Sequence, residues 1–185
     1  IEFRVIVWAS KDRTAAKALW ENYDVHGEWA ARLGKNHPHL MQIMVDEFKA
    51  PSDDRKVILK ALREVVKNKW VFPLFFGSQQ SSVEKDLWCS PGELKAEFTQ
   101  FWNIFEGVHA WQDKLLKNYH KTGTVATLTG FRRRGPLKET EAINEPVQGT
   151  ASDIVVDGMC RLSEEAKKTE RDELQWRLNI HDDVG

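Results

Sequence analysis

Apolar residues at helical spacing are the feature of this 185-residue chain that most restricts its fold. The clearest run begins at Asp53 and Asp54, which suit the positive end of a helix, and its apolar side chains lie three and four positions apart as far as Val66. Such a stripe buries one face of a helix and leaves the other to solvent. The pattern predicts a long amphipathic helix over about 53–76 in a mainly helical chain.

Four further helices follow from the same spacing and from start signals. Asp24 stands where its carboxylate can accept hydrogen bonds from the first free amides of a helix. Ser90, Pro91 and Glu93 have the order of a capping box. Pro146 fits a helix only within its first turn, because proline has no amide hydrogen to donate. The predicted helices cover residues 14–22, 24–33, about 90–123 and about 143–162.

Strand patterns occur at both ends of the chain and once between them. Residues 2–8 are rich in β-branched and aromatic side chains, and residues 176–180 alternate between apolar and polar. Residues 125–133 predict a hairpin that turns at Thr129 and Gly130. The fold class that follows is α+β, a mostly helical part joined to part of an antiparallel sheet. Because both ends fall in predicted strands, we expect the chain to be cut from a longer protein.

The cysteines give no sign of a metal site in the sequence. Cys89 and Cys160 are the only two and lack ligand spacing, which argues against a zinc or iron–sulfur centre and suits a reducing compartment. His37 and His39 flank Pro38, but no carboxylate or thiol completes a ligand set near them. These histidines are therefore interpreted as loop residues.

The net charge and the apolar runs concern location and partners. The formal net charge is −1, so the distribution of charge matters more than its sum. No apolar run approaches the roughly 20 residues that span a bilayer, and the first residues lack a secretory signal. We expect a cytoplasmic protein, in a bacterium or in a phage-infected cell, that has no membrane partner.

The long helix carries a basic face that could hold a polyanion. Four cations lie along it at spacings of four, three and four: Lys56, Lys60, Arg63 and Lys67. A solvated surface stripe is the ordinary explanation for such a face. Aromatic residues at the end of the helix, within 70–77, favour a nucleotide instead, because flat rings can stack on a base or sugar beside the phosphates.

Three other places carry polar groups with more than one interpretation. His26 lies on a predicted helix, where it either donates to a phosphate or is structural. Asn144 and Gln148 are one turn apart, so their amides either read a base pair in the minor groove or cap the backbone. Asp182 and Asp183 either form an acidic corner for a hard cation such as Mg²⁺ or belong to an ordinary turn.

Taken in order, these segments resemble the motifs of A-family DNA polymerases. Residues 142–154 resemble the family's A-I-N-x-P-x-Q-G-T-A-A-D-I helix almost residue for residue. Arg63-x-x-x-Lys67, followed by Phe72 and then Phe76-Gly77, resembles motif B. It differs by one extra residue before Gly77 and by Pro73, so we expect a bulge or kink in this helix.

The remaining motifs lie in family order around these two. Residues 1–4 resemble the end of motif A, whose leading aspartate would stand four positions ahead of Ile1. Asp24-x-His26 is similar to the D-x-H helix, and residues 124–133 to the T-L-x-G-R-R hairpin. Residues 180–183 resemble motif C, usually V-H-D-E. The resemblance implies an incomplete right-hand polymerase fold with residues 1–10 and 124–185 in the palm and 11–123 in mostly helical fingers.

The resemblance implies nucleotidyl transfer of dNTPs to a primer 3′ end with two Mg²⁺ ions. Asp182 would be the metal ligand, with Asp183 a second acid beside it. Lys67 would stabilise the departing pyrophosphate and, with Arg63 and His26, the triphosphate.

The other implied contacts concern the sugar, the base pair and the DNA. Glu2 would crowd a ribose 2′-hydroxyl, and either Phe72 or Val71 would stack on the sugar, with Phe76 near the nascent base pair. The implied DNA contacts are Asn144, Gln148, His181, Arg132 and Arg133. Thr140 stands where many relatives carry an arginine, so one implied primer contact is either missing or supplied by Arg132, Arg133 and Arg134.

The partners implied are primer–template DNA, dNTPs and the remaining polymerase domains, namely the thumb and the rest of the palm. With one of the two acidic motifs, the isolated chain is expected to be inactive. Two alternatives stay open. One is part of a single-subunit RNA polymerase, and the other is a helical module that binds nucleic acid without catalysis.

Overall fold

The computed structural model describes residues 1–21, 23–51, 53–168, 179–180 and 183–184. The chain divides into two compact units. The helical unit comprises Ser10–Gln112, and the mixed unit comprises Ile1–Ala9 and Asp113–Gly185. That these units are fingers and palm stays a prediction.

Helices form most of the helical unit. They are α2 (Arg13–Trp20), α3 (Val25–Asn36), α4 (Pro38–Asp46), α5 (Arg55–Val66), a π-helical turn (Lys67–Val71), α6 (Phe72–Phe75), α7 (Gln80–Asp86), α8 (Lys95–Ile104) and the first part of α9 (Glu106–Thr122). Asp24 caps α3 as predicted, since its carboxylate accepts a hydrogen bond from the amide of Gly27. Asp54 caps α5 through the amides of Lys56 and Val57.

Aromatic side chains fill the core of this unit. The rings of Trp29 and Phe101 have centroids 5.3 Å apart, and Phe75 lies 5.1 Å from Phe105. Such tilted and edge-to-face pairs add to the hydrophobic stabilisation of the rings. The apolar stripe of α5 faces inward as predicted; its buried members are Ile58, Leu62, Val65 and Val66. The basic face of α5 is thereby left on the accessible side.

The single helix predicted over 90–123 is wrong, because α8 and α9 are separate. The chain breaks at Phe105, and the carboxylate of Asp12 accepts hydrogen bonds from the amides of Gly107 (2.7 Å) and Val108 (3.2 Å) at the start of α9. The same carboxylate caps α2 at the amide of Ala15. A buried acid from a distant part of the chain therefore stabilises a second helix start.

The first helix of the mixed unit corrects a second expectation. Residues predicted to be a strand form α1 (Glu2–Ser10). Val5 and Ile6 are both buried although they are adjacent, which an alternating strand on one sheet face does not allow. Burial of one helical face therefore overrides the β-propensity of the side chains.

The rest of the mixed unit contains the predicted hairpin and a long helix. Strands β1 (Thr124–Ala126) and β2 (Arg132–Arg134) pair antiparallel, which confirms the hairpin. Helix α10 (Glu139–Lys168) begins four residues earlier than predicted, because the Glu141 carboxylate accepts a hydrogen bond from the amide of Lys138. Pro146 therefore lies in the second turn rather than the first.

Two short strands lie near the end of the chain. Strands β3 (Asn179–Ile180) and β4 (Asp183–Val184) pair antiparallel, with Ile180 opposite Asp183. Residues 176–178 of the predicted strand lie outside the described residues. Within the described part of the chain, no helix is both long enough and apolar enough to cross a membrane.

Candidate functional site

The extra residue of the motif B segment is accommodated by a π-helical turn. In this turn, Lys67–Val71, the amide of Phe72 donates to the carbonyl of Lys67, five residues back instead of four. Pro73 follows within the first turn of α6 and has no amide hydrogen for the preceding turn. Insertion of one residue into a helix gives this geometry, so the predicted bulge is confirmed.

The π-helical turn determines which side chain faces outward. Val71 is fully buried, at 0% exposure, whereas Phe72 is partly exposed. Because a π-helical turn contains one more residue than an α-helical turn, the side chains that follow it point in other directions than they would in an unbroken α-helix. Of the two candidates for a stacking contact, Phe72 is the one that can reach a ligand.

Five predicted site residues come together around Phe72, and we call them the nucleotide cluster: His26, Arg63, Lys67, Phe72 and Phe76. The imidazole of His26 meets the Phe72 ring edge-on at 5.3 Å, and Phe76 lies 6.3 Å from the same ring. The Lys67 ammonium is 5.9 Å from the Phe72 ring centre. Cations and flat rings therefore share one surface, as a nucleotide requires.

Acidic neighbours hold the Arg63 guanidinium in this structure. Its Nε and Nη2 donate to both carboxylate oxygens of Asp24 at 2.8 and 3.0 Å, and its Nη1 donates to Glu64 at 2.9 Å. These hydrogen bonds raise the pKa of Arg63 and lower that of Asp24. The side chains of Arg63 and Asp24 are 34% and 49% exposed, so the ion pair stabilises the fold by at most about 1 kcal/mol. Arg63 can therefore give up Asp24 for another anion.

His26 is a neutral imidazole at neutral pH. Partial burial lowers its pKa, and the nearby charge of Arg63 lowers it further. Within the described residues its buried Nδ1 has no hydrogen-bond partner. The Phe72 ring and helix α3 therefore position the imidazole without a hydrogen bond at Nδ1 within the described residues.

In the mixed unit, Glu2 and Gln148 line one groove. The groove has a volume of about 340 Å³, and its lining residues are Ile1, Glu2, Glu145, Gln148, Gly149, Ala151, Ser152 and Val155. Gln148 is exposed, and Asn144 is half-buried with an Oδ1 that has no partner among the described residues. The structure therefore brings one member of motif A to the exposed face of α10.

Other residues of the α10 motif hold the hairpin, a role that sequence reasoning did not assign. The Thr150 hydroxyl accepts a hydrogen bond from the amide of Leu128, and Thr129 donates to Asp153. A Cβ on Gly149 would lie 2.7 Å from the Thr127 methyl group, so only glycine allows this packing. The motif is therefore partly structural.

Of the three hairpin arginines, one is already paired. Arg133 forms an ion pair with Glu145 of α10, and all three arginine side chains are exposed. Arg132 and Arg134 are two positions apart on β2, so they lie on the opposite face of the strand from Arg133.

The remaining predicted residues belong to the segment that resembles motif C. His181 and Asp182 lie outside the described residues, and Asp183 is described only through its backbone in β4. Their predicted roles stay predictions.

The prediction that His37 and His39 are loop residues is wrong for His39, which lies in the first turn of α4, with His37 as the N-cap. Neither has a thiol or carboxylate near it in the sequence, but folding brings Cys89 and Glu93 to His39. Packing of α4 against the segment before α8 could not be read from local spacing.

Comparisons with known proteins agree with this architecture. The family model described as DNA polymerase family A matches residues 1–185. The chain is 28% identical to DNA polymerase I A, chloroplastic/mitochondrial, of Arabidopsis thaliana, over 92% of this chain and 18% of the relative. It is also 28% identical to DNA polymerase I of Streptococcus pneumoniae, over 100% of this chain and 20% of the relative. The chain thus spans about a fifth of the length of these relatives.

A solved structure gives the same result for the fold. The polymerase domain of Pol1 from M. smegmatis, in complex with DNA primer-template and dNTP, superposes with a TM-score of 0.72 at 24% identity. The match covers 100% of this chain and 31% of that one. The chain belongs to DNA polymerase family A.

Proposed function

We propose that the natural protein containing this chain performs template-directed DNA synthesis, and that this chain supplies its nucleotide-binding surface. The observation that carries the proposal is the nucleotide cluster, in which His26 and Lys67 lie against the Phe72 ring. Arg63 lies nearby in an exposed ion pair that it can leave for a phosphate. Family membership favours DNA synthesis over the single-subunit RNA polymerase alternative. The solved structure of the polymerase domain of Pol1 from M. smegmatis is a complex with DNA primer-template and dNTP, which supports the same partners here.

Within the cluster, the cations are assigned to the triphosphate. Lys67 is paired only weakly with Glu64, at 3.8 Å, so its ammonium is available to phosphate oxygens. It would stabilise the negative charge that develops on the departing pyrophosphate. His26 would add a neutral hydrogen-bond donor beside it.

Arg63 reaches the triphosphate by exchanging partners. Its guanidinium can leave the exposed Asp24 carboxylate for phosphate oxygens, which offer the same two-pronged geometry with more charge. Asp24 then keeps its second role, because its Oδ1 also accepts from the Gly27 amide at the start of α3.

The rings of the cluster would contact the rest of the nucleotide. Phe72 is the assigned sugar-stacking residue, since Val71 is buried. Phe76 would lie near the nascent base pair.

The mixed unit would contribute discrimination and DNA contacts. Glu2, in the groove with Gln148, would crowd a ribose 2′-hydroxyl and so favour deoxynucleotides. Asn144 and Gln148 would read the minor groove, where amides can donate to base acceptors. Arg132 is better placed than Arg133 for phosphate, because Arg133 is paired with Glu145.

A divalent metal completes the chemistry of this family, and Mg²⁺ is the ion we propose. Asp182 would hold it, with Asp183 nearby and His181 at the primer end. When bound, the ion would supply positive charge that neutralises the reacting phosphate group. Hard oxygen ligands of this kind suit Mg²⁺.

Primer extension by the natural protein tests the proposal. Lys67→Ala should lower kcat/KM for dNTP incorporation about 30-fold, because a charged hydrogen bond worth about 2 kcal/mol is lost. Lys35→Ala is the matched control: it removes the same charge from an exposed position at the far end of α3. If both variants behave alike, Lys67 does not bind the triphosphate.

Sugar discrimination is tested at Glu2. Glu2→Ala should raise incorporation of ribonucleotides relative to deoxynucleotides, because space opens for the 2′-hydroxyl. Glu164→Ala, at an exposed position of α10, is the control. An unchanged ratio would remove Glu2 from the sugar site and leave the assignment of Lys67 standing.

A further inference from the structure

A second cluster of ligand-type side chains lies in the helical unit, apart from the nucleotide cluster. Its members are His39 in the first turn of α4, and Cys89 and Glu93 in the segment between α7 and α8. One nitrogen, the sulfur and one carboxylate oxygen from these residues all lie within 4.8 Å of one another. We call these three residues the zinc cluster.

The distances in the cluster are close to those around a bound zinc ion. His39 Nε2 lies 3.6 Å from Cys89 Sγ and 3.7 Å from Glu93 Oε1. In a tetrahedral zinc site with ordinary Zn–S and Zn–N bond lengths, the sulfur and the nitrogen lie about 3.6 Å apart. The imidazole and the thiol therefore need little movement to share one ion.

The carboxylate of Glu93 is held with one oxygen directed at the cluster. Its Oε2 accepts a hydrogen bond from the amide of Ser90 at 2.8 Å, and its Oε1 faces His39. The backbone between Cys89 and α8 is also held in place, because the buried Glu84 accepts hydrogen bonds from the amides of Gly92 and Leu94. Cys89 and Glu93 are thus presented by an ordered segment.

Further polar groups lie next to Glu93, one of the three proposed ligands. His37 Nδ1 lies 3.5 Å from Glu93 Oε1, and its Nε2 lies 3.3 Å from Glu97. Asn36 donates a hydrogen bond to the same Glu97 carboxylate. Outer groups that orient a ligand in this way are regular parts of metal sites.

The donor set also selects the metal. A thiolate, an imidazole and a carboxylate suit zinc better than Mg²⁺ or Ca²⁺, which prefer oxygen ligands alone. The side chain of His39 is 40% exposed, so solvent can reach the cluster and supply a fourth ligand. A cavity of about 350 Å³ also adjoins Cys89.

A reactive cysteine is the competing explanation, and the surroundings oppose it. Burial, with Glu93 and Glu84 nearby, raises the pKa of Cys89 to about 12. A nucleophilic thiol needs the opposite environment, with cations that stabilise the thiolate. The acids around Cys89 suit a cation instead.

We propose that His39, Cys89 and Glu93 bind one zinc ion, with water as the fourth ligand. Binding releases the thiol proton of Cys89 to solvent, so the sulfur coordinates as thiolate. The ion joins the start of α4 to the segment before α8. This inference is independent of the proposed function, because it involves no residue of the nucleotide cluster.

Cobalt substitution tests the site directly. Co²⁺ added to the metal-free chain should bind one to one and give the intense near-ultraviolet absorption of a thiolate–cobalt bond, and zinc should displace it. Cys89→Ser should abolish this absorption. Cys160→Ser, which alters the exposed cysteine of α10, should retain it.

Two further variants keep the test valid if Cys89→Ser fails to fold. His39→Gln and Glu93→Gln change partly exposed side chains, so both should fold, and each should weaken zinc binding about 100-fold in a chelator competition. Circular dichroism confirms that the metal-free variants are folded. No thiolate–cobalt absorption in the wild-type chain, or affinity unchanged by both substitutions, would overturn the proposal.

Discussion

The helical unit contains two histidine clusters, one that includes two cations and one that includes a thiol and a carboxylate. In the nucleotide cluster, His26 lies beside the cations Arg63 and Lys67. In the zinc cluster, His39 lies beside Cys89 and Glu93. Histidine is the same in both, so the groups brought to it by other segments of the chain decide whether the site suits an anion or a cation.

The pKa shifts follow this difference. At His26, burial and the charge of Arg63 both lower the pKa, so a protonated ring is disfavoured there. At Glu93, a hydrogen bond from the Ser90 amide lowers the pKa most, and the charge of His39 contributes. The first cluster therefore keeps its positive charge on Arg63 and Lys67, and the second keeps a negative charge for an incoming cation.

The largest expected effect is on the alkylation rate of Cys89, whose thiol lies beside Glu93 in the zinc cluster. With its pKa raised to about 12, Cys89 is almost wholly protonated near pH 8, so iodoacetamide should alkylate it about 100-fold more slowly than the exposed Cys160. The experiment uses the folded chain with a metal chelator present, and mass spectrometry of the two cysteine peptides measures the rates. Equal rates would mean that Cys89 is not in the acidic, buried setting described.

Ionic strength should affect ligand binding at the two clusters differently, with a smaller effect than that on thiol reactivity. The proposed triphosphate contacts are exposed cations, so raising the ionic strength from about 0.05 to about 0.5 M should weaken dNTP binding about tenfold. Zinc binding through a buried thiolate should change far less. Parallel titrations of a fluorescent dNTP and of zinc measure both, and equal salt dependence would contradict the distinction.

The pH dependence at His26 should be the smallest effect, a few-fold at most. Below its lowered pKa, His26 gains a proton and adds a charge beside Lys67, so triphosphate affinity should rise in wild type relative to His26→Gln. Asp24 and Glu64 favour this protonation, whereas Arg63 and Lys67 oppose it.

Without nucleotide, protonation of His26 at low pH should lower the stability of the folded chain, whereas it should raise the affinity for triphosphate. The unfolded chain binds the His26 proton more readily than the folded chain, so the free energy of unfolding should fall as pH drops below about 6.5. Urea unfolding of wild type and His26→Gln at several pH values measures this. A stability difference that does not vary with pH would show that the ring is not held neutral by the fold.

Local patterns were sufficient for much of the fold. The stripe of α5, the Asp24 cap and the hairpin all depend on residues close together in sequence, and each was predicted. Even the π-helical turn followed from one extra residue before Gly77 and from Pro73.

Contacts between distant residues account for what the sequence did not predict. Asp12 separates α8 from α9 by bonding to amides about a hundred positions away, and no local signal marks that break. Likewise, His39 and Cys89 are 50 residues apart, so their proximity appears only after α4 has packed. Helix α1 was mistaken for a strand because β-branched residues suggest extended backbone when burial is unknown.

A crossed titration tests the central claim that the two clusters bind opposite ligands. Wild type, Lys67→Ala and Glu93→Gln would each be titrated with a fluorescent dNTP and, separately, with zinc. We predict that Lys67→Ala weakens dNTP binding about 30-fold with zinc affinity within about twofold of wild type, and that Glu93→Gln weakens zinc binding about 100-fold with dNTP affinity within about twofold of wild type. If Glu93→Gln weakens dNTP binding as much as Lys67→Ala does, or if neither variant changes its own ligand, the account is contradicted.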